Sequence, residues 1–225
     1  PLGLRLDSSS GQAAGVATGI RWTTIQPRAG LVVPTTRRGP VLRASWSRYA
    51  HLLQGRYLDF GNPAAIGGQT FSWQDSNRDL AAQPSEISSL LRRFGGLYSA
   101  LDRRLLRPFT DEVSAGLDQE LASGFRAGVR FFRRDSHRLI ATTNIGVLPG
   151  DYTPIEVSDP GNDGIPGNAD DQILTLYNRD PAALGHDFFL LTNPPGGHAS
   201  FKGFEIRLNK PLDRFWGFAA SFTAL

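Results

Sequence analysis

Two short acidic stretches hold the residue types that could do chemistry. The first, "DSNRDLAAQPSE", sets Asp75, Asn77 and Asp79 at the first, third and fifth positions of a twelve-residue frame, with Glu86 at the twelfth. Carboxylates two residues apart in a turn converge on one ion and a final Glu closes it bidentately, which is the oxygen-ligand spacing of an EF-hand loop. Leu80 stands where the sharp turn of such a loop wants glycine, and Pro84 breaks any following helix. The second stretch, "DPGNDGIPGNADD", puts Asp159 first, Asp163 fifth, Gly164 sixth and Asp170 twelfth. Gly161 occupies the third position, where a ligand is due, and Asn162, Asn168 or Asp171 are the substitutes. Gly161, Gly164 and Gly167 supply turn freedom. Oxygen donors with no His or Cys beside them favour a hard cation such as Ca²⁺ over zinc. The candidate Ca²⁺ ligands are therefore Asp75, Asn77, Asp79 and Glu86, and Asp159, Asp163, Asp170 and Asp171. The plain alternative for each stretch is an acidic turn that needs no ion, and no cofactor is required.

Catalytic patterns are wanting. His51, His137, His186 and His198 form no metal-pair spacing, and no GxSxG or P-loop occurs. The reading is not an enzyme. The net charge is +3, carried almost wholly by scattered arginines with no long basic block. This reads as a solvated or lumenal basic face and not as a nucleic-acid surface. With no Cys, neither disulfides nor thiol chemistry enter. The absence of Met and the start at "PLGLRLD" lead to the expectation that the chain is an excised piece of a longer protein.

The elements that must position these stretches are strands. Gly (25) and Pro (15) are both abundant, which suits many turns and disfavours a helical bundle. Period-two alternation dominates. Leu2, Leu4 and Leu6 share one face; so do Ala29, Leu31 and Val33, and Leu42, Ala44 and Trp46. In "FTDEVSAGLDQEL-ASG-FRAGVRFFRRD", Val113, Ala115 and Leu117 match Phe125, Ala127, Val129 and Phe131. A tight turn at 122–124 sets Glu120 across from Arg126 and Glu112 across from Arg134, pairings that favour the register by roughly 0.2–1 kcal/mol each. A last hairpin places Phe204, Ile206 and Leu208 with Trp216, Phe218, Ala220 and Phe222.

The fold expected is all-β, part of a large antiparallel transmembrane β-barrel, with about seven strands here and long extracellular loops containing short helices. Residues 1–225 form one barrel fragment, with short turns near 35–40, 122–124 and 211–213 and long outer loops near 8–20, 51–107 and 141–199. A soluble sandwich has no reason to gather its long loops at one end, whereas a membrane barrel does. Within the second loop, "SEISSLLRRFGGLYSALDRRLL" predicts one or two short helices capped by Ser85, with Ile87, Leu90, Leu91 and Phe94 on one side. Tyr49, Tyr57, Phe60, Phe71, Trp73 and Tyr98 gather on the same outer side, where aromatics line ligand mouths or fill loop cores.

The segments "IQPRAGLVV…GPVLRASWSRYA", "RPFTDEVSAGLDQELASGFRAGVRFFRRD" and "FKGFEIRLNKPLDRFWGFAASFT" resemble consecutive barrel segments of TonB-dependent outer-membrane receptors. The subgroup they are most similar to carries a carboxypeptidase-regulatory-like domain ahead of the plug. The "DPGNDGIPGNADDQILTLYN" loop and the "NPP…FKGFEI" lead-in to the next strand share that subgroup's style, and the likeness spans about residues 20 to 225. The resemblance implies part of a barrel of about 22 strands around a plug, in the outer membrane of a Gram-negative cell. It implies energised uptake of a scarce extracellular ligand, with outer-membrane lipid, the plug and the TonB complex as partners through the rest of the chain, and no nucleic acid. Two alternatives stand beside it: a soluble or surface Ca²⁺-stabilised β-sandwich binding module, and a passive porin-like channel.

Overall fold

Alternation of side chains predicts a half-buried sheet, and the chain forms one. The computed structural model describes residues 1–37, 39–213 and 215–225. Among these residues, fourteen strands run in chain order as β1 (Leu2–Gly11), β2 (Ile20–Pro34), β3 (Val41–Ala50), β4 (Gly67–Trp73), β5 (Ile87–Gly95), β6 (Ser99–Leu101), β7 (Phe109–Glu120), β8 (Arg126–His137), β9 (Ala141–Asn144), β10 (Tyr152–Asp159), β11 (Gln172–Arg179), β12 (Phe189–Thr192), β13 (His198–Asp213) and β14 (Trp216–Ala224). Seven of them form one sheet in the order β1-β2-β3-β7-β8-β13-β14. Every neighbouring pair in it is antiparallel. The sheet is open: β1 and β14 each have a neighbour on one side only, among the described residues.

The registers carry the apolar alternation across the sheet. Leu42 faces Leu117, which faces Val129, which faces Ile206, which faces Phe222. One row up, Ala44, Ala115, Phe131 and Phe204 align in the same way. Opposite residues in a ladder share a face, so these rows lie on one side. That side is not covered. Leu4 is 73% exposed, Val129 49% and Phe222 61%. The buried core lies elsewhere, as Ile20, Trp22, Leu101 and Leu191 with Leu53, Tyr57, Leu58, Phe60, Leu105 and Ile140 packed round them. Apart from the top of β2, these residues belong to the loops.

The short connections β2–β3, β7–β8 and β13–β14 share one end of the sheet, and the longer ones share the other. Along the β7–β8 hairpin, Glu120 pairs with Arg126 beside the short turn and Glu112 with Arg134 toward the other end, the register expected from their charges. The turn near 35–40 includes Arg38, which lies outside the described residues. The turn expected at 211–213 falls later: β13 continues to Asp213, which pairs with Trp216 after a bulge, and Arg214 between them lies outside the described residues.

The helices expected over "SEISSLLRRFGGLYSALDRRLL" are corrected. Ile87–Gly95 is strand β5, paired with β4, and Ser99–Leu101 is β6. Gly95 and Gly96 adopt φ of 69° and 29°, the first left-handed, and a Cβ on Gly95 would strike the Ile66 carbonyl oxygen. Such a backbone ends a regular helix, and the pairing of β5 with β4 satisfies the amides that a helix would have used. Among the described residues, helical structure is confined to short 3₁₀ turns such as Gly55–Asp59 and Gly96–Tyr98. The remaining loop strands make two hairpins, β4–β5 and β10–β11, and a small sheet β6-β12-β9.

Candidate functional site

The polar face of the large sheet is an ion-paired wall. Residues alternating with the apolar rows bring Arg43 to Asp118 (2.6 Å), Arg134 to Glu112 (2.6 Å) and Arg130 to Glu112 (3.2 Å). Arg207 reaches Asp118 at 3.8 Å and Glu205 at 3.5 Å. Exposed pairs of this kind contribute little stability one by one. Their consequence is geometric, since Asp118 and Glu112 bridge strands and hold guanidinium groups over the face. Near the short turns, Arg43, Asp118, Glu120, Arg126 and Arg207 border a concavity of about 690 Å³. It presents both signs of charge, which suits a polar surface or solute and not an apolar one.

At the long-loop end, the first acidic stretch forms the tip of the β4–β5 hairpin. Asp75, Asp79 and Glu86 each offer an oxygen within 4.8 Å of the others. Among the described residues this is the one group of three or more His, Cys, Asp or Glu side chains arranged so that a metal ion could sit between them. Asp75 accepts from the amides of Asp79 (3.2 Å) and Leu80 (3.0 Å). Glu86 is buried and accepts from the Trp73 indole (3.2 Å) and the Ser76 amide (3.0 Å). The Trp73 hydrogen bond, with help from the backbone amides of Ser76, Asn77 and Gln83 and against the effect of burial, holds the Glu86 carboxyl below the usual range, so it is ionised. Asn77 turns inward on the same tip: its amide nitrogen donates to Asp79 (2.9 Å) and its oxygen accepts the Asp79 amide (3.0 Å). Leu80 adopts φ of 60°, the left-handed conformation of the glycine it replaces in the ligand frame. The donor set and spacing fit a hard cation. The flanking elements are strands, and internal amides already occupy part of each carboxylate.

The second acidic stretch does not converge. It caps β10–β11, and each carboxylate turns to its own donor. Asp159 accepts from Gly161 (3.1 Å), Asp163 from Ile165 (2.9 Å) and Asn168 (2.8 Å), Asp170 from Asn162 (3.1 Å), and Asp171 from Gly167 (2.6 Å). Gly161, Gly164 and Gly167 all have positive φ. Asp159, Asp163, Asp170 and Asp171, expected from their spacing to be Ca²⁺ ligands, are each hydrogen-bonded within a Gly/Asp turn. The sequence spacing holds, but the left-handed glycines point the carboxylates along the backbone.

The loop layer is tied by a carboxylate that no motif announced. Asp187 is 2% exposed. It accepts from the Arg93 amide of β5 (3.1 Å), from the Asn144 side chain of β9 (2.9 Å) and from Arg179 of β11 (3.0 Å). Burial pushes its carboxyl up, but the Arg93 amide, the Arg179 charge and Asn144 outweigh that, leaving it below the usual carboxylate range. Arg179 also donates to the Tyr152 hydroxyl (3.3 Å), closing the base of the β10–β11 hairpin. One ionised group therefore joins three of the loop strands. A second hidden pair, Arg107 and Asp7 (2.8 Å), fastens the chain just before β7 to β1, and Arg107 also donates to the His51 carbonyl (2.8 Å).

The histidines serve packing. His137 stacks on Phe109 at 5.0 Å, His51 lies 3.2 Å from the Thr110 hydroxyl, and His198 bonds its own turn at Gly196. Of the outer aromatics, Tyr57 and Phe60 fill the loop core, Tyr49 lies under Arg28 and Tyr98 under Arg93. Phe71 stays exposed.

No family model matches the chain, and no curated protein matches it in sequence. Its shape is similar to parts of several solved structures. One is the siderophore receptor PirA from Acinetobacter baumannii, at 13% identity and a TM-score of 0.46, covering 93% of this chain and 23% of that one. Another is the R480A mutant of the ferric enterobactin receptor PfeA from Pseudomonas aeruginosa, solved with enterobactin, at 17% identity and a TM-score of 0.47, covering 91% and 23%. A third is the siderophore receptor PirA from Pseudomonas aeruginosa, at 14% identity and a TM-score of 0.43, covering 92% and 30%. The chain thus spans between 23% and 30% of the length of these proteins.

Proposed function

We propose that the seven-stranded sheet is part of the wall of a TonB-dependent outer-membrane transporter that takes up a scarce extracellular ligand. The observation that carries the reading is the pairing of an uncovered apolar face with an ion-paired polar face, with the longer connections all at one end. A soluble monomer rarely exposes so broad an apolar surface, and among the described residues no second sheet covers it, as a sandwich would require. The band has the height of a membrane. Ile25 to Val33 on β2 is eight residue steps, about 27 Å of strand, or about 21 Å along the normal at a tilt of ~40°. Barrel bands are about 25 Å tall.

In this reading the polar face lines the lumen against a plug supplied by the rest of the chain, and the loop layer forms the outer mouth. Binding outside orders the loops, and the ligand then passes beside a plug displaced by the inner-membrane energy complex. The Asp75, Asp79 and Glu86 tip is carried as a Ca²⁺ candidate at that mouth.

The test is Val129→Arg in the full-length protein. Val129 sits mid-band, flanked by Leu117 and Ile206. A cation on a lipid face near the midplane costs about 2–4 kcal/mol, so outer-membrane assembly, read as heat-modifiable gel migration, should fall sharply. Thr223→Arg, at an exposed position on the lumenal face opposite Glu205, serves as the paired control. Normal assembly of Val129→Arg sinks the lipid-face assignment. Failure of both variants alike marks a general folding defect and removes the support for a two-faced wall.

A further inference from the structure

Above the apolar rows, the outward face changes character. The row holding Trp46 and Val113 continues into Arg133 and Lys202, and the next row reads Arg48, Asp111, Asp135 and Ser200. Alternation keeps all of these on the lipid side of the wall. Arg48 and Asp111 pair bidentately at 2.8 Å, and Arg133 and Asp135 pair at 2.8 and 3.0 Å. At this height β2 has parted from β3, whose pairing with it stops at Arg28 and Ser47.

The gap between them is a cleft of about 330 Å³, bordered by Arg21, Arg48, Arg138, Phe109 and Leu106. Among the described residues, no acidic side chain borders it. Arg107 also borders it, but is committed to Asp7. Arg48 gives Nε and Nη2 to Asp111 and keeps Nη1. Arg21 is exposed and makes no ion pair among the described residues, and Arg138 rests 5.4 Å over the Phe109 ring with no carboxylate partner. Arg48 covers the same ring at 4.2 Å. Two unneutralised guanidinium groups and a third half-used one therefore meet around an aromatic platform, immediately above an apolar band.

We propose that this cleft holds the phosphorylated headgroup of an outer-leaflet lipid. Guanidinium forks match phosphate geometry and are weakly hydrated, so they suit an interface between water and acyl chains. The headgroup fills the cleft while its chains lie on the exposed Ile25 and Leu4 side of β1 and β2, which are otherwise unpartnered. The proposal rests on the membrane-wall reading above.

The experiment uses the full-length receptor in phosphatidylcholine nanodiscs doped with diphosphoryl lipid A or with its dephosphorylated form, with retained lipid counted by native mass spectrometry. The wild type should retain the diphosphoryl form selectively. Arg21→Ala/Arg138→Ala should weaken that retention roughly thirtyfold, about a factor of five for each arginine near an anionic surface. Arg56→Ala/Arg92→Ala, exposed arginines that do not line the cleft, should leave it unchanged. Three results overturn the proposal: equal retention by the double variant, equal retention of dephosphorylated lipid A, or displacement of the lipid by inorganic phosphate at the lipid's own concentration, which would mark a free-anion site. Heat-modifiable migration separates the two levels. A protein that never forms a barrel fells the wall reading and this proposal with it, whereas a barrel whose double variant keeps its lipid fells the cleft alone.

Discussion

Removing one carboxylate should loosen the whole loop layer. Asp187→Ala deletes the acceptor shared by the Arg93 amide, the Asn144 side chain and Arg179. The Arg179 side chain is only 21% exposed, so its charge is left partly desolvated with no carboxylate opposite it. Breaking a buried ion pair by removing one member costs about 3–5 kcal/mol, because the orphaned charge and donors carry the penalty. The affected unit is local, so the cost appears as easier opening of β5, β9 and β10–β11, not as loss of the seven-stranded sheet. At ~1.4 kcal/mol per tenfold, local opening should rise at least a hundredfold. The assay is hydrogen exchange by mass spectrometry on the full-length protein, following peptides that span residues 87–95 and 152–179. Peptides from β7 and β8 serve as the reference. Asp187→Asn should recover only part of the loss, since its amide nitrogen faces donors. Less than a threefold change in exchange of the loop peptides would refute the hub.

Five further outcomes follow from the same geometry. Gly146→Ala should open the same layer, because a Cβ there would strike the His186 carbonyl oxygen and crowd the Phe188 amide at 2.8 Å; exchange of the 141–147 peptide reads it. Acid should open the layer as well. Asp187 is held below the usual carboxylate range, so its contribution is present above the unfolded value near 3.8 and is lost as pH falls through the lower folded value, which exchange measured across pH 5 to 2 would trace. His51 adds a milder acid term. Burial, aided by the Arg107 charge, lowers its pKa, so its contribution is complete above 6.5 and fades as pH falls below that value, a step that His51→Gln should erase. Leu80→Gly should stabilise the β4–β5 tip by about 0.5–1 kcal/mol, by relieving a left-handed leucine at the cost of some unfolded-chain entropy. Calcium titrated against protease sensitivity of residues 74–86 tests the ion, and identical cleavage with Ca²⁺ and with chelator removes the metal reading.

The wall was legible because period-two alternation is written locally. Val113, Ala115 and Leu117 announce their face without knowledge of any neighbour, and Glu112 with Arg134 announces the register. The β5 segment was not legible, since Ile87, Leu90, Leu91 and Phe94 also satisfy a helical period. What decides it is the pairing with β4 and the two glycines at 95 and 96, which is tertiary context overriding pattern.

The acidic stretches and the hidden clamp mark the limit from opposite sides. Two stretches with comparable ligand spacing fold differently, because the first ends on Glu86, an anchored side chain on the return strand, whereas the second ends on Asp170 and Asp171 in a turn loosened by three left-handed glycines. Spacing supplies ligands, but only a fixed far end brings them together. Asp187 had no motif because its partners lie up to 94 residues away in sequence, and Arg107 finds Asp7 100 residues away. Both are single charges inside apolar context, "GHDFF" and "LLRPF". A lone charge among apolar residues in a β-rich loop is costly to bury unless a partner exists. Such isolated charges, more than the dense acidic runs, are where a long loop's tertiary clamps are to be sought.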